Sequence, residues 1–369
     1  MKRINKLLLL ISAFVLLVSC TNNQNNQDIN KNNDVNTKYE LSMIMAGDAL
    51  IHNGVYLDAY EGNDFYNFKP MFEDIKPVVS SYDLAFYNQE TVIGGKKIGL
   101  STYPRFNSPE EIGDALVDAG FNMISLSNNH TLDRGEEAIT NSINYWKDKD
   151  VVTSGSYLSF EERNKISVHK KNNIRYAMLA YTTTTNGLRA PIGKEYLVNT
   201  YNDEIVKEDI ERIKDYTDVI IVSMHWGVEY THTPTQEQKR IAEYLSSLGV
   251  TIVIGHHPHV IQPIEFINDT LVVYSLGNFI SAQVGTPKLI GMLVSLNIVK
   301  SIDNNEISVK IEDVKGDLIY TYYDNFKNFK VIPFNNLNDD LLNNYKQIET
   351  QYTSIINQYD KTIKVGIFE

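Results

Sequence analysis

The chain has 369 residues, 43% hydrophobic and 22% charged, with 46 acidic against 34 basic side chains and a formal net charge of −12. That balance describes a globular protein long enough for one large domain or two ordinary ones, and it excludes a wholly disordered chain. An acidic surface also argues against non-specific nucleic-acid binding, which needs cationic groups to meet phosphates.

The N-terminus sets the expected compartment. MKRINK is basic, and Leu7–Val18 is apolar apart from Ser12, too short to span a bilayer comfortably but suited to a signal sequence. It runs into Cys20, the only cysteine of the chain, so no disulfide is possible within one copy. The segment resembles a bacterial lipoprotein signal. That resemblance implies removal of residues 1–19, lipidation (palmitate) at Cys20, and a membrane anchor on the extracytoplasmic face of a bacterial cell. Residues 20–38 are polar and rich in Asn and read as a flexible tether, so ordered structure is expected from about Tyr39.

From there short apolar runs alternate with amphipathic ones. LSMIMAG is a buried strand ending at Gly47. MFEDIKPVVSS is a short helix bounded by Pro77, and DLAFYN is the next strand. SPEEIGDALVDAG reads as a helix with Ser108 as N-cap, Pro109 at its first position and Gly120 as its stop. FNMISLSNN is a strand, and GEEAITNSINYWKDK is a helix with Ile139, Ile143 and Trp146 on one face. IRYAMLAYT, TDVIIVSM and VTIVIG are strands, interleaved with the helices NDEIVKEDIERIKDY and TPTQEQKRIAEYLSSLG. Residues 260–335 are rich in strands and turns, and a helix is expected near Asp339–Tyr359. This alternation is the signature of sheets covered by helices. Residues 39–335 are expected to form one domain of two packed sheets flanked by helices, with 336–369 as a helical extension.

The polar residues worth noting stand where strands run out. They are Asp48 and His52 in GDALIH, Glu90 in NQET, Asn129 and His130 in SNNH, His225 and Glu229 in HWGVEY, and His256, His257 and His259 in GHHPH. Ligands of α/β sheets bind beyond the carboxyl ends of strands, and imidazole with carboxylate is a ligand set for divalent metals. His257 and His259 would point to opposite sides of an extended backbone, so a turn at Pro258 is needed to bring them together. His169 and His232 lie outside the motifs and read as surface residues. Arg105 and Arg134 are candidate anchors for an anionic substrate, with ordinary salt-bridging as the alternative. Asn278 in SLGNF is a candidate for binding substrate or for holding a loop.

The ordered set of motifs resembles the poly-γ-glutamate capsule synthesis (CapA-type) family over roughly residues 40–285, itself similar to the calcineurin-like metallophosphoesterases. The resemblance implies an αββα sandwich of two mixed sheets and a centre of one or two divalent ions. Asp48, Glu90 and His259 would serve the first ion, and Glu90, Asn129, His225 and His257 the second. His130 would face the substrate as general acid or oxyanion donor, with Asp48 and Glu90 completing the catalytic centre. Mixed Asp, Glu, Asn and His ligands suit Mn, Fe or Zn. One departure is plain: that superfamily has a histidine two residues after its first aspartate, and Leu50 stands there. His52 is a candidate substitute or a supporting residue, while Glu229 and His256 are candidate ligands or orienting partners of ligands. The implied role is capsule or anionic-polymer synthesis or export at the cell surface, by a metal-dependent hydrolase acting on poly-γ-glutamate or a phosphoester. Integral-membrane synthesis proteins are the expected partners. The alternative is a non-catalytic, metal-binding protein that anchors or guides the polymer.

Overall fold

A computed structural model describes residues 37–304 and 306–368; Cys20 and the signal and tether segments before Thr37 lie outside the described residues. The first strand, Thr37–Leu50, begins two residues ahead of the expected Tyr39. It is the spine of a large mixed sheet. On one side it pairs antiparallel with Ile290–Asp303, followed outward by Glu306–Asp324 and Lys327–Pro333. On the other side come the parallel strands Leu84–Asn88, Met123–Ser125 and Val152–Ser154. The short strand Asn278–Ser281 runs parallel beside its end. A second sheet places its strands in the order Ile264–Ile267, Thr270–Val273, Ile252–His256, Val219–His225, Ile174–Thr182 and His169–Lys171.

The period-2 alternation of side chains explains how these sheets pack. Met43 and Met45 face inward and meet Met178, Ile221 and Ile254 of the second sheet in one core. Their neighbours Ile44 and Ala46 face outward, against Phe72, Ile75, Leu116 and Trp146 of the covering helices. The second sheet repeats the pattern, with Leu179 and Val222 turned outward against Ile210, Ile241 and Leu245. Both faces of both sheets are therefore covered, which is why the central strands read as continuous apolar runs. The expected sandwich of two mixed sheets between helices is the architecture observed.

The helices follow their local signals with one exception. Asn202 caps Asp203–Ile213 by accepting from two backbone N–H groups. Thr235 and Gln238 form a reciprocal capping box at Gln236–Ser247. Ser108, expected to cap the helix that spans Glu111–Asp118, does not: Glu110 occupies the capping position, and the Ser108 hydroxyl is engaged 2.8 Å from that of Thr91. The terminal segment also differs from an appended extension. Helix Tyr345–Ile356 buries Tyr352 and Ile356 in the inter-sheet core, and Lys364–Val365 adds a parallel strand beside Lys315 and Gly316. His232, expected at the surface, is half-buried, with its Nδ1 2.8 Å from the Ile261 carbonyl and its ring edge-on to Tyr352. His169 is likewise half-buried and stacks on Tyr176.

Candidate metal centre

Both sheets deliver their polar residues at the same end. In the large sheet Asp48 lies in register between Asn88 on one neighbour and Asn278 on the other. The approach is close because residue 47 is glycine: a Cβ there would fall 1.9 Å from the Gly277 carbonyl oxygen, and Asp48 N–H donates to that same oxygen at 3.0 Å. In the second sheet His225 and His256 are register partners on adjacent parallel strands. The chain then turns through two left-handed residues, His257 at φ 97° and His259 at φ 57°. Non-glycine residues adopt that backbone at a cost, and such strain collects at functional sites. Here the turn at Pro258 brings His257 and His259 to one place, as their spacing demanded.

The resulting cluster is buried and compact. Ligand atoms of Glu90, His225 and His257 all lie within 4.8 Å of one another, and so do those of Asp48, Glu90 and His259. Glu90 is the shared member. Its Oε1 is 3.7 Å from His225 Nε2 and 3.8 Å from His259 Nε2. Neither Glu90 oxygen has a hydrogen-bond partner, although the residue is fully buried. Asn129 Oδ1, His225 Nε2 and His257 Nδ1 are also buried without partners. Buried polar groups are nearly always satisfied, so the orphaned atoms of Glu90, His225 and His257, which converge within 4.8 Å, suit a cation. Chemistry and burial both fit one or two divalent ions.

The remaining groups orient this set. Asn88 Nδ2 donates to Asp48 Oδ1 at 2.8 Å and lies 3.4 Å from His225 Nδ1. His257 N–H donates to Asp48 Oδ2 at 3.2 Å. His256 Nδ1 is 3.1 Å from Asp48 Oδ1, off the line of a good hydrogen bond, and its ring packs on Phe86. Asn278 Oδ1 sits 2.9 Å from His259 Nδ1, which leaves Nε2 to face Glu90. His130 Nδ1 is 2.7 Å from Asp133 Oδ2, and that oxygen also accepts from Phe106 N–H at 2.7 Å.

Electrostatics separate the two central carboxylates. Burial would raise Asp48, but its contacts with His256 and His259 outweigh burial and hold its pKa well below the usual value. Burial pushes Glu90 well above the usual value; His259 opposes that rise, while Asp48 and Glu229 add to it. Burial lowers His259, yet the charges of Glu90 and Asp48 prevail and lift it to about 9. Burial holds His257 down to about 4. A site that pulls a proton onto one histidine and keeps another neutral is one where a metal cation would displace the proton on binding.

Not every expected residue joins the centre. His52 belongs to none of the ligand groups found among the described residues; its Nδ1 is 3.0 Å from the Leu50 carbonyl, and burial lowers its pKa to about 4. The Arg134 guanidinium donates to the Ile98 and Gly99 carbonyls and the Ser101 hydroxyl. Asn278 is fully buried and holds His259 and the Lys288 carbonyl, so it serves the loop and not a substrate. Arg105 is exposed and lines a cleft of about 270 Å³ together with Asn129, His130, Asn186 and Glu229. Two further residues serve the site without a motif to mark them. Asn88 is the last residue of its strand, two positions before Glu90. Asp133 lies three after His130, one helical turn away.

This arrangement defines a four-layered αββα protein with a buried carboxylate–histidine centre suited to divalent cations. The chain belongs to the family described as bacterial capsule synthesis protein PGA_cap, which it matches over residues 42–283. Curated relatives include the PGA biosynthesis protein CapA of Bacillus subtilis (strain 168), 30% identical over 241 residues that cover 63% of this chain and 62% of the relative. The capsule biosynthesis protein CapA of Bacillus anthracis is 27% identical over 260 residues, covering 66% of this chain and 60% of that one. The chain thus spans about three-fifths of the length of these relatives. Similar solved structures include the calcineurin-like phosphoesterase YfkN of Bacillus subtilis (16% identity, 76% of this chain, 91% of that chain, TM-score 0.44). Another is the NAD nucleotidase of Haemophilus influenzae (12% identity, 90% of this chain, 65% of that chain, TM-score 0.45). Likeness at this level decides nothing about activity.

Proposed function

We propose that this protein is a metal-dependent hydrolase of capsule or anionic-polymer metabolism at the bacterial cell surface, held to the membrane by a lipid on Cys20. The observation that carries the reading is Glu90: fully buried, both oxygens unpartnered, and shared by two groups of histidine ligands. Asp48, Glu90 and His259 would hold one ion, and Glu90, Asn129, His225 and His257 a second, with Mn, Fe or Zn suited to the donor set. Divalent ions held there would lower the pKa of bound water and stabilise charge on attacking and leaving oxygens.

The chain's own residues do the rest. Asp133 accepts from His130 Nδ1–H and orients the ring, so that in its imidazolium form the Nε2–H would give a proton or hydrogen bond to a leaving group in the cleft. Exposed Arg105 supplies the cleft with positive charge for a carboxylate or phosphate of the substrate. Asn88 and His256 keep Asp48 oriented and ionised. A poly-γ-glutamate chain or a phosphoester is the substrate class this combination suits, with integral-membrane synthesis proteins as partners.

The test is to purify the full chain, measure bound metal, and assay phosphoester and γ-glutamyl amide hydrolysis. Wild type should bind Mn²⁺ or Zn²⁺, and His225→Ala should lose metal together with activity. His130→Ala should keep its metal and lose on the order of 10²-fold or more in turnover. A wild-type chain that takes up neither metal defeats the proposal. Metal without turnover, indifferent to His130→Ala, identifies the polymer-guiding role instead, for which the lack of a histidine at Leu50 leaves room.

A further inference from the structure

Three carboxylates, not two, reach the histidine cluster. Besides Asp48 and Glu90, an oxygen of Glu229 lies within 4.8 Å of ligand nitrogens of both His257 and His259. Glu229 is exposed and comes from the side of the cleft that holds Asn129 and His130, whereas Glu90 comes from the buried side. We propose that Glu229 is a direct ligand of the first ion beside His259, supplying a donor that Leu50 cannot.

The inference rests on the metal reading above, and a count of donors leads to it. The second ion would draw on Glu90, Asn129, His225 and His257, a full set of four. The first would have only Asp48, Glu90 and His259. Leu50 is buried at 2% exposure and has no donor atom. His52, the other nearby candidate, stands outside the ligand groups with its Nδ1 at the Leu50 carbonyl. Glu229 is the one further carboxylate among the described residues whose ligand atom joins the histidine groups.

The loop that carries Glu229 is built to stay there. Trp226 donates its indole N–H to the Tyr274 carbonyl at 2.9 Å, and Trp226 N–H bonds the His256 carbonyl at 3.0 Å. Gly227 turns the chain at φ 87° in a place where a Cβ would strike the Gln238 amide. On the other side of Glu229, Tyr230 N–H donates to the Pro258 carbonyl at 2.7 Å, with Tyr230 itself left-handed at φ 64°. Pro258 lies between the two ligand histidines, so the glutamate loop and the histidine turn are tied at adjacent residues. The Tyr230 ring also packs against His259 at 6.0 Å. Charge supports the same assignment: a free carboxylate at the cleft mouth would repel an anionic substrate, whereas a ligated one is neutralised.

The experiment is Mn²⁺ titration of the full chain by equilibrium dialysis with metal analysis, paired with electron paramagnetic resonance to detect spin coupling between two ions. Wild type, Glu229→Ala, Glu229→Gln and His52→Ala are compared. Wild type and His52→Ala should bind two ions per chain and show the coupled spectrum. Both Glu229 variants should keep one ion tightly, bind the other at least tenfold more weakly, and show an uncoupled spectrum. Glu229 variants that bind two coupled ions with wild-type affinity overturn the inference, as does loss of an ion in His52→Ala. A wild-type chain that binds no ion sinks the metal reading itself, a result distinct from either.

Discussion

At Gly47 a single hydrogen atom separates a working site from a clash. The strand carrying Asp48 and the turn before Asn278 touch through their backbones, and a methyl at residue 47 would sit 1.9 Å from a carbonyl oxygen. No side-chain rotation relieves contact with a backbone atom, so Gly47→Ala must push the strands apart. The expected loss of stability is on the order of 1–3 kcal/mol or more, by the cost of overpacking a filled interior, measured by denaturant unfolding. Because Asp48 is the next residue and takes its register from this contact, metal binding should weaken along with stability. A Gly47→Ala chain with wild-type unfolding and metal uptake would show that the close approach is not required.

Elements report how far the sequence could be read. Caps are local, and Asn202 and Thr235 cap their helices as residues of these types do. Thr235→Ala removes one half of the capping box and should cost about 1 kcal/mol, seen as a lowered melting temperature with metal affinity unchanged. Wild-type stability in that variant would show the box to be energetically idle. Sheets covered by helices followed from the alternation of apolar runs with amphipathic ones, and the GHHPH turn from the geometry of two histidines two residues apart. Ser108 failed as a cap because a tertiary contact with Thr91 outbid the local signal. Lys364–Val365 could not be foreseen as a sheet strand, since a two-residue run carries no periodicity. The contact of Asn88 with Asp48 and the reach of Glu229 depend on which strand lies beside which, and register between distant segments is not written in any one of them; Asp133 is different, joined to His130 three residues away by a local turn.

The whole molecule must keep its two sheets in fixed relation, because each contributes part of the centre: Asp48 and Glu90 from the large sheet, His225 and His256 to His259 from the other. Part of that relation is set at the opposite end of the strands. Asp218, just before strand Val219–His225, accepts from Arg175 N–H at 2.8 Å and Arg175 Nη2 at 2.9 Å within its own sheet. It also accepts at 2.7 Å from Lys300 Nζ, which belongs to the large sheet. Both the Asp218 carboxylate and Lys300 are nearly excluded from water. Burial raises the Asp218 pKa, but Arg175 and Lys300 outweigh it and bring it down to about 2. An unfolded aspartate titrates near 3.9. Between those values the unfolded chain binds more protons than the folded one, so stability falls as pH falls through this window. The contribution is fully present above about pH 4 and lost toward pH 2. Asp218→Asn should therefore be less stable than wild type at pH 7, by an amount that shrinks as both are acidified from pH 4 to pH 2, followed by chemical denaturation at each pH. The variant should retain its metal at neutral pH, since the pair and the centre lie at opposite strand ends and distant sites act independently. A stability difference that stays constant down to pH 2 would mean that Asp218 does not join the sheets through its charge.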